Sequence, residues 1–212
     1  MQTDKILITS DGAGTAQALE ECDRFVAYAR LDRRSALHVR LLAEETLGMV
    51  RGIVGNFQAF FWLESVKKKG KQLCRVCVKA DADVNYETRQ ELLKVSTTGR
   101  NSAAVGFMGK IRELIEMGLQ GYDEASRYQA QQGFGFADYA AMGMMEQNTA
   151  ADAFYWSLDL YKDQVSGQKE TSNQAAEQAW DELEKSIVAR IADEVRVGIQ
   201  NGQVELVIEK MM

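Results

Sequence analysis

Apolar residues follow helical and strand-like spacings in the first third of the chain. Consecutive apolar residues between Lys5 and Thr9 predict a short opening strand. Apolar residues at helical spacing then predict two helices, the first over Thr15 to about Arg30 and the second over about Arg33 to Ile53. Asp32 or Ser35 can cap the second helix. The chain is therefore predicted to open with one strand and two helices.

The spacing changes to a strand period in the next stretch. Phe57–Val66 and Gln72–Ala80 are rich in aromatic and β-branched residues and flank a lysine-rich turn, which predicts a β-hairpin. A Gly-bearing loop and a helix over about Ala103–Met117 follow. Near the end, apolar residues alternate on both sides of Asn201-Gly202, the strongest short-range signal for a hairpin.

The order strand, helix, helix, hairpin, helix, hairpin predicts the fold class. Amphipathic helices and half-buried strands in one domain bury their apolar faces against each other in layers. We expect an α/β two-layer sandwich, with a mixed, mostly antiparallel sheet of about five strands and the helices on one face.

The charge of the chain is concentrated in one segment. The whole chain has 25 basic and 31 acidic side chains and a net charge of −6. Leu119–Ser186 holds 12 acidic and 4 basic residues, a net charge of −8, whereas the rest holds 19 acidic and 21 basic residues, a net charge of +2. Apolar residues within and just beyond it recur at helical spacing at Phe154, Leu158, Tyr161 and Val165 and at Trp180, Leu183, Ile187 and Ile191. We therefore predict a single domain over 1–212 that contains an acidic helical insertion over 119–186.

Composition excludes several classes of protein. The acidic balance argues against a nucleic-acid partner, because neutralising phosphates requires a basic face. The longest apolar runs fall far short of a membrane span, which takes ~18 residues. The first ten residues lack the basic and apolar regions of a secretory signal. We expect a cytoplasmic protein that does not enter a membrane.

The cysteines and the only histidine do not predict a metal site. Cys74 and Cys77 form a C-x-x-C pair in a strand-like run, where residues three apart point to opposite faces. Their sulfurs could not share one metal ion, and we expect both to be buried strand residues. His38 is the only histidine and is predicted to be a structural side chain on a helix.

Two adjacent carboxylates interrupt the apolar second helix. Glu44 and Glu45 lie in Leu41–Val50, directly before the hairpin. A buried carboxylate is costly unless it has a partner or a task, so one of them is a candidate catalytic group. A solvated helix edge is the alternative interpretation.

A loop with several glycines precedes the third helix. Thr97–Asn101 and Gly106–Lys110 contain Gly99, Gly106 and Gly109. Glycines before a helix let backbone N–H groups approach an anion, where the helix dipole and a nearby Arg or Lys add positive charge. Tight packing of an ordinary helix start is the alternative.

Four short boxes in this order resemble the motifs of a known family. Glu45–Met49 stands in the place of E-x-x-x-N, Asp81–Asn85 in the place of D-x-G-x-G, and Thr97–Asn101 with Gly106–Lys110 in the place of the lid and second glycine box. Together with the element order, they resemble the GHKL (Bergerat-fold) ATPase superfamily, which includes gyrase, sensor histidine kinases and anti-sigma-factor serine kinases. The resemblance covers about residues 5–117 and 194–212.

The resemblance implies ATP, with or without Mg²⁺, as the bound ligand. It makes Glu45 the residual catalytic base and places Asp81 against the adenine amino group. Met49 stands where the family has its magnesium-binding Asn, and a thioether is a poor ligand for a hard cation. The residues implied around the phosphates are Gly99, Asn101, Gly106, Gly109 and Lys110.

We therefore expect an ATP-binding regulatory protein similar to the histidine-kinase and anti-sigma-factor kinase ATPases. Without the magnesium-binding Asn, the resemblance leaves ATP hydrolysis and protein serine kinase activity open. The alternative is a catalytically inactive pseudo-ATPase that acts as a protein-interaction module, with the acidic insertion facing a basic partner.

Overall fold

The computed structural model describes residues 1–53, 56–68, 70–81, 106–120, 153–169, 174–200 and 203–212. The strands in this part are β1 Ile6–Thr9, β2 Gln58–Lys68, β3 Lys71–Asp81, β4 Ala153–Ser157, β5 Glu194–Gln200 and β6 Gln203–Met211. The helices are α1 Thr15–Tyr28, α2 Arg33–Arg51, α3 Phe107–Gln120, α4 Leu158–Lys169, α5 Gln174–Lys185 and α6 Ile187–Ile191.

All six strands belong to one sheet, in the order β1-β2-β3-β6-β5-β4. Every described pair is antiparallel, including both predicted hairpins, β2-β3 and β5-β6. The final hairpin joins the first one through β3 and β6, so segments far apart in sequence meet in the middle of the sheet.

The helices pack on one face of this sheet. Alternate strand residues such as Phe61, Val76 and Leu206 belong to the same buried cluster as Leu42 and Leu114 from α2 and α3. Their strand neighbours point the other way and are absent from that cluster. The predicted α/β two-layer sandwich is confirmed, with six strands in the described part.

The predicted helix starts are partly confirmed. Asp32 caps α2, and its Oδ1 accepts hydrogen bonds from the backbone N–H groups of Arg34 at 2.8 Å and Ser35 at 3.1 Å. The helix predicted from Trp180 to Ile191 is interrupted at Ser186, between α5 and α6, and the Ser186 side chain caps α6. The helix predicted from Phe154 begins only at Leu158.

Residues 153–157 instead form the edge strand β4. Tyr155 lies opposite Gly198 of β5, Trp156 is buried, and α4 starts where Glu194 Oε1 accepts from the N–H of Leu158 at 3.0 Å. Long-range pairing with β5 decides the structure of this stretch, and the apolar spacing alone could not show it. The acidic segment therefore contributes a strand as well as helices.

The three cysteines are buried and free. Cys74 belongs to the helix-side core and Cys77 does not, as expected for strand residues on opposite faces. Burial raises the pKa of Cys22 and Cys77 to about 12 and that of Cys74 to about 11. Among the described residues, no three His, Cys, Asp or Glu side chains are grouped as a metal site, and no helix is both long and apolar enough to cross a membrane.

Candidate functional site

The start of α3 carries three of the predicted phosphate-binding residues. Gly106 precedes the helix with φ +82°, and a Cβ built there meets no atom within 4 Å, so the backbone conformation alone favours glycine. The N–H of Lys110 donates to the carbonyl of Gly106 at 3.2 Å. The N–H groups of the residues between Gly106 and Lys110, including the buried Gly109, come before this hydrogen bond and therefore have no acceptor within the helix.

The side chain of Lys110 lies between α3, α4 and α5. Its Nζ is 2.7 Å from Oε2 of Glu182 and donates to the hydroxyl of Tyr161 at 3.3 Å. Burial lowers the pKa of Lys110, but the Tyr161 hydroxyl and the Glu182 carboxylate outweigh it and hold that pKa above its ordinary value. Burial also raises the pKa of Tyr161. The ammonium is therefore charged, and Glu182 from the acidic segment balances it.

An arginine on α3 connects this helix to α2. Arg112 Nη1 donates to the carbonyl of Gly52 at 3.0 Å, at the C-terminus of α2, where the helix dipole favours a cation. Its Nε lies 3.7 Å from Oε1 of Glu116, and both side chains are about nine-tenths buried. A Cβ at Gly52 would lie 2.7 Å from Nη1, so a glycine here leaves room for the guanidinium.

Glu113 is a further titratable group on α3 that the sequence reasoning missed. Burial raises its pKa, while the charges of Lys110 and Arg112 act in the opposite direction. Half-buried carboxylates with perturbed pKa values cluster at functional sites, although structural charge clusters share this property. The available signal was the run of charged residues at 110, 112, 113 and 116 within an otherwise apolar helix.

The carboxylates of α2 have separate surroundings. Glu44 pairs with Arg40 through a 2.7 Å contact and is solvent-exposed, which fits the helix-edge interpretation. Glu45 is partly exposed. Met49, one turn later, is 6% exposed and belongs to the core cluster. Its sulfur lies among apolar side chains, so this position offers no ligand to Mg²⁺.

Asp81 lies at the end of β3, on the face of the sheet without the core cluster. Its Oδ2 accepts from Nε2 of Gln203 at 3.4 Å. It lines a cavity of about 170 Å³ together with Leu7, Phe60 and Lys79, which point away from the helices. The structure therefore does not bring Asp81 together with Glu45 and Lys110 on the helix side, and its contact with adenine stays a prediction.

The predicted site residues thus fall into three groups. The first group lies on the helix side, where Arg112 joins α2 to α3. It contains Glu45 on α2 and Gly106, Gly109 and Lys110 at the start of α3. Asp81 lies across the sheet, and Gly99 and Asn101 lie outside the described residues. Glu182 and Tyr161 were not predicted, because only tertiary packing brings α4 and α5 to Lys110.

Comparisons with known proteins add no family. No protein-family model, no curated protein and no solved structure matches the chain.

Proposed function

We propose that this protein binds ATP as a regulatory protein similar to the GHKL ATPases and acts in the cytoplasm. The observation that supports this most is the packing of α2 against α3. The two helices that carry the predicted catalytic and phosphate boxes share one core and are joined by the Arg112 contact to Gly52. The β2-β3 hairpin lies between them in the chain, in the order that the resemblance requires.

The start of α3 fits an anion in part. Its N-terminal N–H groups and the dipole of a helix of 14 residues favour a phosphate, and Gly106 allows close approach. Lys110 provides the full positive charge, but Glu182 already balances it. A phosphate bound there would compete with the Glu182 carboxylate for the ammonium group.

Catalysis has less support than binding. ATP supplies a transferable phosphoryl group, and Glu45 would orient or deprotonate the acceptor. The core position of Met49 leaves the E-x-x-x-N box without a magnesium ligand. A protein that binds ATP with little or no turnover fits this arrangement best.

Isothermal titration with ATP and ADP, with and without Mg²⁺, tests the proposal. We expect binding that Lys110→Ala weakens at least about tenfold, the loss of one charge-assisted contact of about 1.5 kcal/mol or more. Lys71→Ala, at an exposed lysine in the hairpin, is the control and should bind as the parent does. No heat at millimolar nucleotide would refute the proposal.

Glu182→Gln adds a second test with the opposite sign. Removing the carboxylate charge frees Lys110 for phosphate and should raise nucleotide affinity several-fold, and circular dichroism checks that the variant is folded. Unchanged affinity would show that nucleotide phosphates do not meet Lys110.

The second candidate is a protein-interaction module without nucleotide. The Lys110-Glu182 ion pair favours it, because a lysine balanced by its own chain does not need a phosphate. A Glu45→Ala variant separates the two candidates. Loss of a slow turnover with binding retained identifies an enzyme, whereas the absence of both binding and turnover in the parent favours the interaction module.

A further inference from the structure

Six residues form one row across the face of the sheet that points away from the helices. Strand register places them directly opposite one another, one on each strand. We call them the outer row, and in strand order they are Leu7, Phe60, Lys79, Glu205, Gly198 and Tyr155.

The outer row combines exposed apolar side chains with a gap. Leu7 is 48% exposed, Phe60 49% and Tyr155 48%. Gly198 has no side chain, and a Cβ built on it meets no atom within 4 Å. A depression of about 500 Å³ opens there and is lined in part by Tyr155, Gly198 and Glu205. Large exposed apolar side chains beside a depression are typical of an interaction surface.

The order of chemical types in the outer row is self-complementary. Consider a two-fold axis parallel to the strands, midway between β3 and β6, that places two copies face to face. Lys79 of one copy then meets Glu205 of the other, Phe60 meets the gap at Gly198, and Leu7 meets Tyr155. An isologous dimer requires this property, because each patch must match its own reversed copy.

We propose that a second copy of this chain docks on the outer row and forms a symmetric dimer, sheet against sheet. Packed sheets lie about 10 Å apart, with their side chains interdigitated, and the aromatic side chains and the Gly198 gap suit that spacing. The proposal does not depend on nucleotide binding.

The charges of this face favour a copy of the same chain over a strongly charged partner. Beside the outer row, Arg75 Nε lies 2.7 Å from Oε1 of Glu209 and its Nη1 lies 3.4 Å from Oε2 of Glu64. Arg196 also pairs with Glu209. Two arginines and two glutamates therefore balance within the monomer, as Lys79 and Glu205 do in the outer row. The chain has a net charge of −6, whereas these six charged side chains sum to zero, so this part of the face does not repel its own copy.

The area of the face is sufficient for a stable dimer. Strands lie about 4.8 Å apart and rise about 3.4 Å per residue, so six strands of about eight residues cover on the order of 750 Å². Specific dimers bury about 800 Å² per partner. The full width of the sheet, and not the outer row alone, would then be buried.

Exchanging the central charges tests the proposal. Lys79→Glu and Glu205→Lys each place like charges at both central contacts of a homodimer, so each variant should raise the dimer dissociation constant at least about tenfold in sedimentation equilibrium. An equimolar mixture of the two variants restores both opposite-charge contacts and should form a heterodimer about as tight as the parent dimer. Recovery on mixing distinguishes a contact between copies from the cross-strand pair within one copy.

Phe60→Asp is a second variant, which should weaken the dimer because Phe60 meets the gap at Gly198 of the other copy. Tyr28→Asp is its control. Tyr28 is 79% exposed on α1, so it lies among the helices and should leave the dimer unchanged. Circular dichroism checks that each variant is folded. A parent chain that stays monomeric at about 100 µM, a dimer that withstands both charge variants, or two variants that do not associate on mixing would each overturn the proposal.

Discussion

Replacing Glu116 by alanine removes the carboxylate nearest to a buried guanidinium. Arg112 and Glu116 lie one helical turn apart on α3, with Nε 3.7 Å from Oε1 and side chains 10% and 8% exposed. Among the described residues, only the carbonyl of Gly52 is hydrogen-bonded to the Arg112 guanidinium, through Nη1. In the variant, the positive charge stays buried without its ion-pair partner.

The expected cost follows from this burial. Removing one partner of a buried ion pair destabilises proteins by about 3–5 kcal/mol. The guanidinium keeps its hydrogen bond to the Gly52 carbonyl at the C-terminus of α2 in the variant, so its charge is not wholly without compensation and the lower end of this range applies. We therefore expect Glu116→Ala to lower the free energy of unfolding by about 3 kcal/mol. For a chain of this length the melting temperature would fall by roughly 9 °C.

Urea unfolding followed by circular dichroism measures this change, and a second pair in the same chain provides the control. Arg24 and Glu20 are also one turn apart, at 3.6 Å, but are 69% and 70% exposed. Glu20→Ala should cost less than about 0.5 kcal/mol. The double variant Arg112→Met, Glu116→Leu should recover most of the stability, because apolar side chains of similar volume replace both charges. Equal costs for Glu116→Ala and Glu20→Ala would refute the reasoning.

Three further predictions concern charge, backbone and thiols. Burial raises the pKa of Glu113 in the folded chain, so the free energy of unfolding falls as pH rises from about 4.5 through the folded pKa. Glu113→Gln should therefore be more stable than the parent at pH 7 in thermal melts, and the difference should vanish below about pH 4.5. Gly14→Ala should destabilise by several kcal/mol and Gly106→Ala by only about 1 kcal/mol in urea unfolding. Both glycines have positive φ, but a Cβ at Gly14 lies 2.0 Å from the carbonyl oxygen of Leu7 and one at Gly106 meets nothing. With thiol pKa values of about 11 to 12, the three cysteines should resist iodoacetamide at pH 8 until denaturant is added, and fast labelling of the native chain would contradict their burial.

Local sequence signals predicted the parts of the fold that depend on neighbouring residues. Asn201-Gly202 located the final hairpin, Asp32 located the start of α2, and the strand period located β2 and β3. Each signal acts within a few residues, through a turn, a cap or an alternating face. The same reasoning placed Cys74 and Cys77 on opposite faces of β3.

Signals that depend on distant residues were missed. The strand at 153–157 exists because β5 offers it a pairing edge, about forty residues later in the chain. The apolar residues at 154, 158, 161 and 165 fit a helix equally well, since Leu158, Tyr161 and Val165 do lie on α4. Two side chains mark the junction between β4 and α4. The Ser157 hydroxyl accepts a hydrogen bond from the N–H of Leu160 at 3.3 Å, and Glu194 of β5 accepts one from the N–H of Leu158.

Lys110 shows why the candidate site could be predicted only in part. Its position after two glycines at a helix start was readable from the sequence, and so was the acidity of the segment that contains Glu182. Neither pattern indicates that the two charges lie 2.7 Å apart. Lys110 is three-quarters and Glu182 about three-fifths buried, so the pair is less screened than an exposed pair, and an anion must displace it to reach Lys110. The proposed nucleotide binding would therefore depend on how firmly Glu182 is held beside Lys110, which links the acidic segment to the start of α3 through one ion pair.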